Sequence, residues 1–157
     1  MEQQLAALYG KLARQIAAMI PAQWDAVHYL GEVEKGKTSY SSVFYFRDTA
    51  TGEFVQSNSM DKKYPISKSA FMDRWMQLNK ILLEIYDCFA ENGQPAWEQL
   101  SLSLEPSGKF KVNYLYDAMD GGDGPMKREV VWAYKTFGLT PPEGTYARKV
   151  LDEAMNA

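Results

Sequence analysis

The chain holds one histidine, His28, and one cysteine, Cys88, so the common routes to acid–base, nucleophilic and metal chemistry converge on very few side chains. An imidazole titrates near neutrality and suits a general base. His28 falls on the opposite side of an extended segment from Val27 and Tyr29, with no identifiable nucleophile and orienting group beside it, and so reads as an ordinary surface histidine. Metal-dependent nucleases that rely on several histidines are closed to a chain with one. Cys88 lies in mid-helix against an apolar stripe and reads as a packed, inert thiol. A single thiol also excludes an internal disulfide and a cysteine-rich zinc site.

The run Asp117-Ala118-Met119-Asp120-Gly121-Gly122-Asp123-Gly124 invites a calcium reading. It departs from the EF-hand pattern: counted from Asp117, Met119 and Gly121 fall on ligand positions, and Arg128 stands where a bidentate glutamate belongs. No Lys-Ser/Thr pair follows the glycines, so the loop is not a phosphate cradle either. It reads as a solvated acidic loop. Acids are plentiful enough for a carboxylate pair of the glycosidase kind, but nothing in their spacing recommends one. No metal or cofactor is expected. Of the four tryptophans, Trp24, Trp75 and Trp97 sit at element ends or within apolar stripes and read as core. Trp132 lies between Val131 and Ala133, off the inward set Val130, Tyr134 and Phe137, which leaves room for an exposed interface anchor.

The elements that would position these groups belong to one ordinary domain of 157 residues and 17.8 kDa. A net charge of −3 and a pI near 5.2 argue against direct nucleic-acid binding, which needs clustered positive charge, and suit a basic protein partner. No charged-then-apolar leader opens the chain and no apolar run approaches the roughly 18 residues of a membrane span. A cytoplasmic protein without a membrane segment is the expectation.

The clearest stretch is Trp97 to Tyr116. Leu100, Leu102 and Leu104 alternate with polar neighbours, and Phe110, Val112, Tyr114 and Tyr116 alternate with Lys109, Lys111, Asn113 and Leu115, around Pro106-Ser107-Gly108. That period of two, twice over, predicts an antiparallel hairpin with one apolar face. Earlier, residues 26–34, 40–47 and a short piece near Phe54 and Val55 predict a three-strand meander, turned at Lys35-Gly36-Lys37 and Thr51-Gly52. Leu5, Leu8, Leu12, Ile16 and Met19 predict an N-terminal amphipathic helix stopped by Pro21. After a polar loop at 57–65, Ser67 can cap a long helix carrying Phe71, Trp75, Leu78, Leu82, Ile85 and Phe89, with Met72, Ile81 and Tyr86 widening the stripe and Gly93 ending it. The stripe predicts a core helix, with a coiled-coil dimer seam as the competing reading. Pro125 opens a further helix that Gly138 ends, and 145–155 reads as a final one with Tyr146, Val150, Leu151 and Met155 inward. Strands segregated into two groups around a long helix predict a two-layer α+β domain, its antiparallel sheet covered by N-terminal, long central and C-terminal helices.

Taken together, several segments resemble the YezG-like family of bacterial immunity proteins, or antitoxins. The matching residues run from Met19-Ile20-Pro21, Trp24 and Tyr29 to Val33, through the aromatic strand Val43-Phe44-Tyr45-Phe46, to Asn92-Gly93-Gln94 with Trp97. They continue with Leu104-Glu105, Gly108 to Val112, Tyr114 and Tyr116, and close with Arg128, Trp132, Tyr134-Lys135 and Phe137-Gly138-Leu139. The resemblance covers roughly residues 1–142, so the chain reads as a single YezG-like domain with a short helical extension from about residue 143. Asn113 and Leu115 depart from it, since acids are expected there.

What the resemblance implies is a protein without catalysis of its own that binds and blocks a cognate toxin, typically the nuclease domain of a secreted polymorphic toxin with a basic active-site cleft. The toxin-binding residues come from charge and position alone: Asp117, Asp120 and Asp123, then Glu32 and Glu34, with Trp132 as the apolar anchor. A monomer or weak homodimer is expected. A homodimeric interaction module and a small-molecule or metal-dependent enzyme are the alternatives.

Overall fold

A computed structural model describes residues 1–156 as two compact units, one spanning Met1–Tyr116 and one beginning at Asp117. The first is an α+β unit. Helix α1 (Glu2–Met19) precedes strands β1 (Trp24–Val33), β2 (Tyr40–Asp48) and β3 (Phe54–Gln56), the short helix α2 (Met60–Lys63), the long helix α3 (Lys68–Glu91), and strands β4 (Gln99–Leu104) and β5 (Phe110–Leu115). The strands form one sheet in the order β3-β2-β1-β4-β5, with every pair antiparallel. Meander and hairpin therefore meet at β1, which takes the centre although it is the first strand made.

The core lies between one face of this sheet and helices α1 and α3. Val27, Tyr29 and Val33 of β1, Phe44 and Phe46 of β2, and Leu100, Leu102 and Leu104 of β4 meet Leu12 and Ile16 of α1 and Leu78, Leu82 and Ile85 of α3. The stripe on α3 is thus a core stripe. Ser67 caps α3 as its sequence foretells, its Oγ accepting from the Ala70 amide at 3.1 Å, and Gly93 follows the last turn at positive φ. Trp97 is fully buried at the end of the sheet, its ring 5.4 Å from Tyr86, 6.3 Å from Phe89 and 5.3 Å from Tyr114. Near it the Tyr9 and Tyr114 hydroxyls share a short hydrogen bond, joining α1 to β5, and burial raises both phenols above their ordinary range.

Gly31 marks the closest approach of helix to sheet. A Cβ built there would stand 2.5 Å from Leu82 Cδ1 and 2.8 Å from the Tyr29 hydroxyl, so the bare backbone is what lets α3 settle onto β1. Gly31→Ala is expected to lower stability by about 1–3 kcal/mol through overpacking, read as an earlier urea midpoint with unchanged slope.

Three expectations about the elements of this first unit need correction. The polar stretch 57–65 is not a plain loop: it holds a 3-10 turn at Ser57–Ser59 and then α2, whose Met60 plugs the core. Tyr64 beyond α2 donates to the Asp48 carboxylate at 2.6 Å; burial and that carboxylate push the phenol up to about 12, while the same bond holds Asp48 below the usual carboxylate range. The hairpin's second strand is only partly covered, because β5 is an edge strand and leaves Phe110 and Tyr116 exposed. Met72 likewise faces solvent rather than widening the α3 stripe.

The second unit carries α4 (Pro125–Phe137) and α5 (Tyr146–Met155). Pro125 opens α4, Gly138 closes it in the left-handed conformation, and the Thr145 hydroxyl caps α5 by accepting from the Arg148 amide at 3.2 Å. Leu151 is buried, but Tyr146, 69% exposed, and Met155 do not point inward as their spacing suggests. No helix of the described residues is long and apolar enough to cross a membrane.

Candidate functional site

The loop between Tyr116 and Pro125 brings Asp117, Asp120 and Asp123 to the surface within one short segment. A turn closes its first half, where the Asp120 amide donates to the Asp117 carbonyl at 3.2 Å, and Gly122 takes positive φ. Ala118 and Met119 are half-buried, but the three aspartates are exposed, so the carboxylates stay in water. The field is not uniformly negative. Lys127 Nζ lies 3.0 Å from an Asp123 carboxylate oxygen, one helical turn into α4, and Arg128 donates to the Asp123 backbone carbonyl. Among the described residues Asp117 and Asp120 enter no ion pair. An exposed pair such as Asp123–Lys127 contributes at most about 1 kcal/mol, so Asp123 can exchange its lysine for a cation on another surface at little cost.

The other two predicted carboxylates belong to the first unit and differ from each other. Glu34 is exposed just past the end of β1 and accepts from the Ser39 hydroxyl at 3.0 Å. Glu32 is only 6% exposed: it accepts from Gln99 Nε2 at 2.8 Å across the β1–β4 pairing, so it is built into the sheet rather than offered to a partner. Trp132 also needs correcting. It is buried, with its ring edge-on to Phe137 at 5.6 Å, and does not present the exposed indole that an interface anchor requires. One helical position separates the inward and outward readings of Trp132, and the neighbouring alanine and valines gave no signal to choose between them.

His28 has a partner the sequence did not reveal. Ser103 lies directly opposite it across β1 and β4, with Oγ 2.8 Å from Nδ1. Burial first, and then the Arg47 guanidinium, lower the imidazole's pKa, so it stays neutral at physiological pH. The register that pairs 28 with 103 is the one signal that could have found this contact. The pair is a cross-strand hydrogen bond on a sheet surface. Asp25, the acid nearest along the strand, is held by Arg47 at 2.7 Å, which lowers its pKa. Among the described residues no group of histidine, cysteine and carboxylate side chains has the geometry of a metal site.

Sequence comparison gives this geometry a context. The protein is 28% identical over 139 residues to the immunity protein YezG of Bacillus spizizenii, covering 88% of this chain and 85% of the relative. It is 27% identical over 138 residues to the immunity protein YezG of Bacillus subtilis, covering 87% and 89%. A type VII secretion system protein, EsaG, of Staphylococcus aureus is 27% identical over 142 residues, covering 89% and 85%. The family model described as immunity protein YezG-like matches residues 5–151, reaching across both compact units, and the chain belongs to that YezG-like family of immunity proteins.

Proposed function

We propose that this protein neutralises a cognate secreted nuclease toxin by binding it stoichiometrically, without catalysis of its own, in the cytoplasm of the producing cell. The observation that carries the reading is the loop Asp117 to Gly124, which exposes three carboxylates on a segment with three glycines. A nuclease cleft must be positive to hold phosphate, so an acidic segment entering it meets a field that attracts it. The family membership supplies the activity class, and the relative named as a type VII secretion system protein supports a secreted partner. Within this reading Asp117 and Asp120 act first, since among the described residues no cation pairs with them, and Asp123 joins when Lys127 releases it. Glu34 is a secondary contact. The two compact units function as one immunity domain, monomeric or weakly self-associating.

Converting Asp117, Asp120 and Asp123 together to asparagine is expected to slow association with the toxin by on the order of tenfold at low salt and to flatten its salt dependence, because exposed charges are screened over about 8 Å at physiological ionic strength. Stopped-flow association at two salt concentrations, with survival of cells expressing the toxin, reads the effect. An unchanged rate and unchanged protection remove the loop from the mechanism. Failure of the unmodified protein to bind the toxin encoded beside it removes the immunity reading itself.

A further inference from the structure

The hydrogen-bond parity of the sheet leaves one long edge open. Val33 donates to the Glu98 carbonyl at 3.0 Å, so the even-numbered residues of β4 bond toward β1, and Glu105 donates to the Lys109 carbonyl at 2.9 Å, so the odd-numbered residues bond toward β5. The register pairs Ser103 with Lys111, Ser101 with Asn113 and Gln99 with Leu115, so these β5 residues spend their amides and carbonyls on β4. Phe110, Val112 and Tyr114 must then turn their N–H and C=O groups away from the sheet, where none of them has a backbone hydrogen bond among the described residues.

This edge lacks two of the usual protections. It runs six residues in continuous register, without a proline or a bulge. Phe110, Leu115 and Tyr116 are 40%, 53% and 43% exposed along it. The opposite edge, β3, has three residues and leads directly into the 3-10 turn. What the edge does carry is Lys109 just before β5 and Lys111 within it, both exposed and neither in an ion pair among the described residues.

We infer that the β5 edge is an acceptor for a strand of a protein partner, one that alternates apolar residues with carboxylates. The open amides and carbonyls of Phe110, Val112 and Tyr114 bind the incoming backbone, in the mode known as strand addition. The apolar side chains of that strand lie beside Phe110 and Tyr114 on the helix-facing side, and its carboxylates answer Lys109 and Lys111 on the other. Charge selects this occupant over a second copy of the chain: β5 contains no acid, so self-pairing brings both sets of lysines to the same face without a counter-charge. The inference goes beyond toxin binding through the aspartate loop, since the edge and the loop can be altered independently.

The test uses the full chain and a short end-capped peptide alternating valine and glutamate, about nine residues long to match an ordinary strand, with its valine–lysine counterpart as the control. By fluorescence anisotropy the acidic peptide is expected to bind on the order of tenfold more tightly than the basic one. Amide exchange on the unmodified protein is expected to slow at Phe110, Val112 and Tyr114 when the acidic peptide is added, with Lys111 and Asn113 unchanged. Val112→Pro removes an outward N–H that the β4–β5 ladder does not use and should abolish binding, whereas Val112→Thr keeps the N–H and the branched shape and should retain it. Three results overturn the inference: equal binding of both peptides or of neither, peptide binding that survives Val112→Pro, and protection of the three amides by self-association of the free protein. The asparagine variant of the loop separates the two proposals, because it should associate with the toxin more slowly and still bind the peptide unchanged.

Discussion

Replacing Trp97 by alanine is expected to destabilise the protein by about 3–5 kcal/mol, the upper range for emptying a buried aromatic site. The side chain has no exposed surface and lies among the rings of Tyr86, Phe89 and Tyr114, so its removal withdraws a contact from α3 and from β5 at once. A domain of ordinary stability has about 5–15 kcal/mol in total, so the loss is a large share of what holds it folded. Trp97→Phe separates packing from polarity. The indole N–H is buried with no hydrogen-bond partner among the described residues, and leaving such a donor dry carries its own cost. Phenylalanine keeps most of the ring contact and removes that donor, so its loss should be well below that of alanine. Chemical denaturation of the three proteins checks the ranking, and equal losses for both variants would show that the ring cluster is not what the tryptophan supports.

Leu82→Ala is the second large effect, expected at about 2–5 kcal/mol because the site is fully buried between α3 and the sheet. Its interest lies in its coupling to Gly31. Leu82 Cδ1 occupies the volume that a side chain at 31 needs, so truncating it opens a cavity where an added methyl group fits. Gly31→Ala, destabilising by itself, should be less so beside Leu82→Ala, with an interaction of about 0.5–3 kcal/mol between neighbours sharing one cavity. Strict additivity across the four proteins of the cycle would mean that the helix shifts along the sheet instead of holding its register.

The parts of this fold that the sequence made legible are those with a single buried face. Leu100, Leu102 and Leu104 alternate cleanly because β4 shows one side to the core, and the α3 stripe follows a helical period for the same reason. Strand β2 was harder, since Val43, Phe44, Tyr45 and Phe46 are all buried and the period of two disappears into a continuous apolar run. Edge position left no mark on Phe110 and Tyr116, whose exposure depends on which strand lies beside β5 and not on their own spacing. The same limit governed the candidate site. Charge and glycine content located the aspartate loop, but Glu32 looked equivalent to Glu34 until the pairing with Gln99 removed it from the surface. Ser103 beside His28 is a matter of register between residues 75 apart, which composition does not encode.

The place of β1 has a consequence during synthesis. Glu32 of β1 and its β4 partner Gln99 are 67 residues apart along the chain, and α3 lies between them. At the usual elongation rate of 5–20 residues per second, the meander waits about 3–13 s after β1 is made before the strand that completes its other side exists. Through that interval one whole border of β1, destined for the middle of the sheet, is an uncompleted ladder, and the α1 stripe has only part of its eventual cover. The nascent chain is therefore most prone to pair with its neighbours on a polysome before Gln99 emerges, and a pause placed in α3 would prolong that state whereas one placed once β4 has emerged would not.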